Sequence, residues 1–203
     1  KEKLDVKDLK TLVARIRDEE IKGANVTIPF KKDIIPYLDE LTDEAKSTQS
    51  VNTIYLNHSK VTGHNTDIDG FKSAIRDTKN DINGKKILIL GAGGVVPSLI
   101  FALYKLNVSV ITVSNRTKRK AEKLRELFDN LKIVDWGEVP EFDMIINATS
   151  LGLSSKDDLN LDFSKGGNNK FFYDIIYNPK QTNFLEKAKM MGHKIENGRK
   201  MFI

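Results

Sequence analysis

Lys31 and Asp67 are the charged members of three short strings whose other polar side chains are mostly neutral. The strings are Gly23-Ala24-Asn25-Val26-Thr27-Ile28-Pro29-Phe30-Lys31, Val51-Asn52-Thr53 and Asn65-Thr66-Asp67. They fall at the ends of short apolar runs, where a strand would stop and present its last side chains. Asn25, Thr27, Asn52 and Asn65 offer donors and acceptors without charge, which suits a sugar-like polyol. Any one of them could instead be an Asx turn or a cap, and Lys31 alone reads as a surface lysine. An ammonium and a carboxylate brought together among such groups could hold a polyhydroxylated acid and move a proton on one of its oxygens.

A second constellation begins at Gly91-Ala92-Gly93-Gly94, between the apolar run Ile87-Leu88-Ile89-Leu90 and a helix expected over Val95 to Leu106. Gly91 permits a sharp turn. Gly93 and its neighbours let backbone N–H groups approach a pyrophosphate, and the helix N-terminus adds partial positive charge. The spacing is G-x-G-G rather than G-x-G-x-x-G, and such turns can be purely structural; the position between a buried-type strand and an apolar helix favours a dinucleotide. Pro97 falls in the first helical turn, where its missing N–H costs little.

The next strand, Val108 to Val113, selects the cofactor. A site for NAD would end this strand with an acid for the ribose 2′-hydroxyl. The chain instead continues Ser114-Asn115-Arg116-Thr117-Lys118. Arg116 can grip a 2′-phosphate as a bidentate fork, with Thr117 and Lys118 adding donors; the alternative is an exposed basic loop. NADP(H) is therefore the expected cofactor. Downstream, Asn147-Ala148-Thr149-Ser150-Leu151-Gly152 follows a strand, and Thr149 and Ser150 suit contacts with that cofactor, although Asn147 could simply cap a turn.

The elements that must position these residues read in two blocks. Leu4, Leu9, Leu12, Val13 and Ile16 mark a helix over Asp5 to Glu20. A strand follows over Ala24 to Ile28, then a short helix between Pro29 and Pro36, then a helix over Thr42 to Ser47 with Thr42 as N-cap. Ser50–Leu56 and Lys60–His64 flank Asn57-His58-Ser59 as a hairpin, and Asp67 to Gly70 leads into an amphipathic segment over Phe71 to Arg76. From Lys85 the pattern becomes strand and helix in alternation: the two strands above, a helix over Lys118 to Phe128, β-type runs at Leu131–Val134, Met144–Asn147 and Phe171–Ile175, and a helix over Thr182 to Met191 ended by Gly192. The expected fold class is α/β: a Rossmann-type doubly wound parallel sheet domain plus a smaller N-terminal α/β substrate domain. The boundary is expected in the polar stretch Thr78 to Gly84, giving a substrate domain over 1–78, rejoined by 197–203, and a cofactor domain over 79–196.

Composition narrows the partners. In 203 residues, 33 Lys and Arg face 28 Asp and Glu, a formal charge of +5. The excess is small and scattered, unlike the clustered basic face of a nucleic-acid protein. The absence of cysteine excludes a disulfide framework, a thiolate nucleophile and a Cys-type zinc site, and no metal is expected. No apolar run approaches a bilayer's thickness and no signal peptide opens the chain. A cytoplasmic monomer or homodimer acting on a small molecule is expected, without nucleic acid or membrane as partner. Lys1 rather than Met stands first, so the gene product is expected to begin upstream.

These strings, in order and spacing over nearly the whole chain, resemble the shikimate/quinate dehydrogenase family. The resemblance is carried by Asn25 to Lys31, Val51-Asn52-Thr53, Asn65-Thr66-Asp67, Gly91 to Gly94, Asn115-Arg116-Thr117, Asn147 to Ser150, Tyr173-Asp174-Ile175-Ile176-Tyr177 and Asn197-Gly198. It implies reversible, NADPH-dependent reduction of 3-dehydroshikimate to shikimate. Lys31 and Asp67 would form the catalytic pair, with Asn25, Thr27, Asn52 and Tyr177 on the substrate. Asn115 and Gly198 would join the cofactor-binding residues. A quinate or broad-specificity dehydrogenase and a non-catalytic NADP-binding relative are the alternatives. The chain departs from the family pattern by lacking its opening strand and Ser-x-Ser motif, by stopping at Ile203 before a substrate-binding glutamine, and by carrying Arg199 and Lys200 where a small or apolar pair is usual.

Overall fold

The computed structural model describes residues 5, 8–154 and 156–202, and its contacts divide the chain into two compact units after Ile68. In the first unit, helix α1 (Leu9–Arg17) turns Leu9, Leu12, Val13 and Ile16 inward, as the apolar spacing requires. It starts later than expected; Leu4 lies outside the described residues. Strands β1 (Gly23–Asn25), β2 (Glu40–Leu41), β3 (Thr53–Asn57) and β4 (Lys60–His64) form a sheet in the order β1-β3-β4-β2. The β3–β4 hairpin closes through His58 and Ser59, both at positive φ (46° and 65°), as a primed two-residue turn demands. Helix α2 (Asp43–Thr48) follows the N-cap Thr42, whose hydroxyl accepts from Ala45 N–H. Val26, Ile34, Ala45, Val51, Ile54 and Val61 complete this unit's core with the α1 stripe.

Two expectations need correction here. The strand ends at Asn25 instead of running to Ile28, although Val26 still donates to the Asn52 carbonyl at 2.8 Å. No helix forms between Pro29 and Pro36; turns lead into a short 3₁₀ segment, Ile35–Tyr37. Pro36 has no N–H to offer the Lys32 carbonyl, which takes the Ile35 N–H at 3.2 Å in a tighter i→i−3 bond.

The second unit opens within α3 (Asp67–Asp77), so the boundary expected near 78 falls at the far end of that helix. Its sheet comprises β5 (Lys86–Leu90), β6 (Val110–Ser114), β7 (Leu131–Val134), β8 (Met144–Asn147), β9 (Phe171–Asp174) and β10 (Lys194–Asn197). All neighbours are parallel, in the order β10-β9-β8-β5-β6-β7. The chain moves outward from β5 to β7, then returns to build the other half from β8. The order therefore reverses between β5 and β8, the place where open α/β sheets bind ligands. Helices α4 (Val96–Lys105), α5 (Lys118–Glu122) and α6 (Asn183–Met190) lie in the connections. Phe172 sits among Phe142, Phe163 and Phe184 at ring separations of 5.3 to 5.8 Å in one core cluster. The helix expected to reach Phe128 is α5 followed by a 3₁₀ segment, Lys123–Glu126; only Ala121 and Leu124 of this stretch are buried. The segment Gly198–Phe202, a 3₁₀ turn, groups by contacts with this unit.

Candidate active site

In the first unit the three strings converge. Lys31 Nζ donates to Asp67 Oδ2 at 2.5 Å, and the two side chains are 14% and 5% exposed. Backbone pairing places both groups: the Lys31 carbonyl accepts from Val51 N–H at 2.9 Å, and Asn52 N–H donates to the His64 carbonyl at 3.0 Å. Asn52 then ties the strings together. Its Nδ2 donates to Asp67 Oδ1 and to Thr66 Oγ1, each at 2.9 Å, while its Oδ1 accepts from Thr66 N–H at 3.0 Å. Asp67 is the first residue of α3, where a carboxylate meets the favourable end of the helix dipole. Its two oxygens are thus held by an ammonium and an amide, in an orientation that packing and hydrogen bonds fix together.

Asn65 has a different job from its neighbours. It is fully buried; its Nδ2 donates to the Ser50 carbonyl at 2.9 Å and its Oδ1 accepts from Asp67 N–H at 3.0 Å. It braces the loop that carries Asp67 and leaves nothing for a ligand. Asn25 and Thr27 stand exposed at and just after the end of β1. Thr66, which the sequence did not single out, joins the cluster through Asn52; the only signal for it was its place beside Asp67.

In the second unit the glycine turn lies at the β5–β8 switch point. Gly91 adopts φ +110°, and a Cβ there would lie 2.8 Å from the Ala148 carbonyl oxygen. A Cβ on Gly93 would come no closer than 3.9 Å to that oxygen, and one on Gly94 would meet nothing within 4 Å. The first glycine is therefore required by the fold, whereas the next two keep open the space in front of the α4 N-terminus that a pyrophosphate would fill. Beyond β6, Arg116 and Thr117 are exposed, and Asn115 Nδ2 donates to the Thr117 carbonyl at 2.8 Å, shaping the loop. Lys118 is engaged with Asp135 at 2.8 Å. No acid closes β6, and the residues present fit the 2′-phosphate of NADP.

The other expected cofactor residues are placed less openly. Thr149 donates its hydroxyl to Asn147 Oδ1 at 2.7 Å, and Ser150 is exposed. Gly198 is buried; a Cβ there would fall 2.1 Å from the Ile175 carbonyl oxygen, so its glycine is demanded by backbone packing. Tyr177, 52% exposed, packs its ring against Phe202 at 5.3 Å. With Leu153, Ile175, Ile176 and Asn178 these two rings line a cavity of about 390 Å³. Among the described residues there is no cluster of acids and histidines that could hold a metal ion, and no helix long and apolar enough to cross a membrane.

A unit with a parallel sheet and a glycine turn at its switch point, and another that pairs an ammonium with a carboxylate, together make the build of a dinucleotide-dependent oxidoreductase. Residues 2–54 match the profile of the shikimate dehydrogenase substrate binding domain, and residues 73–181 that of shikimate / quinate 5-dehydrogenase. A shikimate dehydrogenase (NADP(+)) of Pelagibacter ubique is 52% identical over 98% of this chain and 76% of its own length. Shikimate 5-dehydrogenase of Thermus thermophilus, solved with NADP(H) and shikimate, superposes with a TM-score of 0.88 at 30% identity, covering 98% of this chain and 75% of that one. A ligand-free 5-ketofructose reductase of a Gluconobacter strain superposes equally, with a TM-score of 0.88 at 29% identity over 98% and 75%. The chain belongs to the shikimate dehydrogenase family.

Proposed function

We propose that this protein reversibly reduces 3-dehydroshikimate to shikimate with NADPH, with Lys31 and Asp67 as its catalytic pair. The observation that carries the reading is the nearly buried Lys31–Asp67 contact, set among the neutral hydrogen-bonding groups of Asn52 and Thr66. NADPH, when bound, supplies the hydride to the ketone carbon. As that carbon is reduced its oxygen gathers negative charge. The Lys31 ammonium has three N–H bonds and spends one on Asp67, so others remain to stabilise and protonate that oxygen. In the reverse direction the same nitrogen takes the hydroxyl proton. Asp67 holds Lys31 aimed, and its carboxylate can accept from the same hydroxyl. Asn25, Thr27, Asn52 and Tyr177 would bind the substrate's hydroxyl groups.

On the cofactor side, Gly91, Ala92, Gly93 and Gly94 would cradle the pyrophosphate. Asn115, Arg116, Thr117 and Lys118 would take the ribose end, and Thr149, Ser150 and Gly198 would line the remainder. The reaction is placed in the cytoplasm, with the protein a monomer or homodimer.

The test is NADPH absorbance, followed with shikimate and NADP⁺ and, in parallel, with quinate. Lys31→Ala should lose a factor of roughly 10² to 10⁴ in kcat, the range of a lost proton-transfer group, with a smaller change in KM. Turnover near the wild-type rate in that variant would refute the assignment. A second reading, a dehydrogenase of broader polyol specificity, is favoured by the shikimate / quinate profile and by the ketofructose-reducing structural neighbour. Faster turnover of quinate than of shikimate would establish it.

A further inference from the structure

We propose that Asp174 is a positioning residue whose ionised carboxylate sets the shape of the two loops carrying Thr149, Ser150 and Tyr177. This rests on the reading that those loops meet NADP and substrate.

Asp174 ends β9 and is completely buried. Its Oδ1 accepts from Ile176 N–H at 3.0 Å and from Asn147 Nδ2 at 3.1 Å, and its Oδ2 from Thr182 Oγ1–H at 2.6 Å. Asn147 passes the constraint onward. The same Nδ2 donates to the Leu151 carbonyl at 3.0 Å, and Oδ1 accepts from both the N–H and the hydroxyl of Thr149. The Thr149 hydroxyl in turn accepts from Leu151 N–H at 3.0 Å. One carboxylate thus anchors the loop after β8, the backbone one residue before Tyr177, and the N-cap of α6, since the Thr182 hydroxyl also accepts from Leu185 N–H.

Among the described residues Asp174 makes no ion pair. Its own strand carries Tyr173; β10 carries Lys194 and Glu196; α6 carries Glu186, Lys187 and Lys189. Lys194 is bonded to Asn80, and Lys187 to Asp158. Nearby Asp157 is occupied by the N–H groups of Gly152 and Ser154. Burial raises the Asp174 carboxyl to about 6, against the lowering effect of its three hydrogen-bonded partners. A charged acceptor binds N–H and O–H donors about twice as strongly as a neutral one, so the anchor is firmest when this group is ionised.

The decisive measurement is the Kd for NADP⁺ of wild type and of Asp174→Asn across pH 5 to 8. Asparagine matches the protonated acid in shape. The ratio of the two constants cancels the titration of the ligand's own phosphate. The ratio should be near one at pH 5 and rise to about tenfold weaker binding by the variant at pH 8. Thr182→Ser should keep the wild-type profile. Thr182→Val, which removes the Oδ2 donor, should move the wild-type midpoint to higher pH and serves if Asp174→Asn does not fold. A ratio that stays flat with pH, whether at one or at some constant loss, would overturn the proposal. A wild-type chain that does not bind NADP⁺ would overturn the functional reading itself.

Discussion

Arg116 stands exposed just beyond β6, where Ser114 and Asn115 present no carboxylate to a ribose hydroxyl. A charge-assisted hydrogen bond to a 2′-phosphate is worth about 1.5–3 kcal/mol, or roughly 10- to 100-fold in affinity. Arg116→Ala should therefore raise KM for NADPH by that factor and leave KM for NADH nearly unchanged, as initial rates with each cofactor would reveal. Lys118 already lies against Asp135, so its removal should matter less. At this scale the sequence spoke through residue type and neighbourhood: a lysine, an acid and amides at strand ends were enough to nominate Lys31, Asp67 and Asn52. It could not separate Asn52, which faces the pair, from Asn65, which is buried as a brace, because one amide looks like another until its partners are known. Asp174 was legible only as part of a family string; its burial and its three partners are tertiary facts.

Between element and element, the glycines of the β5–α4 turn do two different jobs. Gly91 needs its positive φ and its clearance from the Ala148 carbonyl. Gly91→Ala should destabilise the fold by about 1–3 kcal/mol, the usual penalty for backbone strain of this kind, visible in a denaturant titration. Gly94→Ala has open space around its new methyl group, so stability should hold while NADP⁺ affinity falls. The strands of the parallel sheet were readable because burial on both faces writes continuous apolar runs such as Ile87 to Leu90. The two strands that escaped have physical excuses. β2 is two residues long, too short to show a period, and β10 is an edge strand of sequence Lys-Ile-Glu-Asn whose charges are what protects such edges. The stretch from Pro29 to Pro36 misled in the other direction, since Pro29 suits the first turn of a helix that Pro36 does not allow to complete.

For the molecule as a whole, Asp174 couples stability to pH. Its folded-state carboxyl titrates near 6, above the ordinary 3.8. Between those values the native chain holds a proton that the unfolded chain has lost, so this group's contribution falls as pH rises through the window and levels off above 6. A displacement of about two units corresponds to about 3 kcal/mol. Asp174→Asn, which carries no charge to bury, should gain stability relative to wild type by up to that amount between pH 4.5 and 7.5; equal shifts of both proteins in chemical denaturation at the two pH values would contradict this. The lysine–aspartate pair and the glycine turn, meanwhile, belong to different compact units, each with a core of its own. A lineage could thus retune which sugar acid it accepts by editing a few amides in one half, while the machinery for recognising a nucleotide passes down untouched in the other.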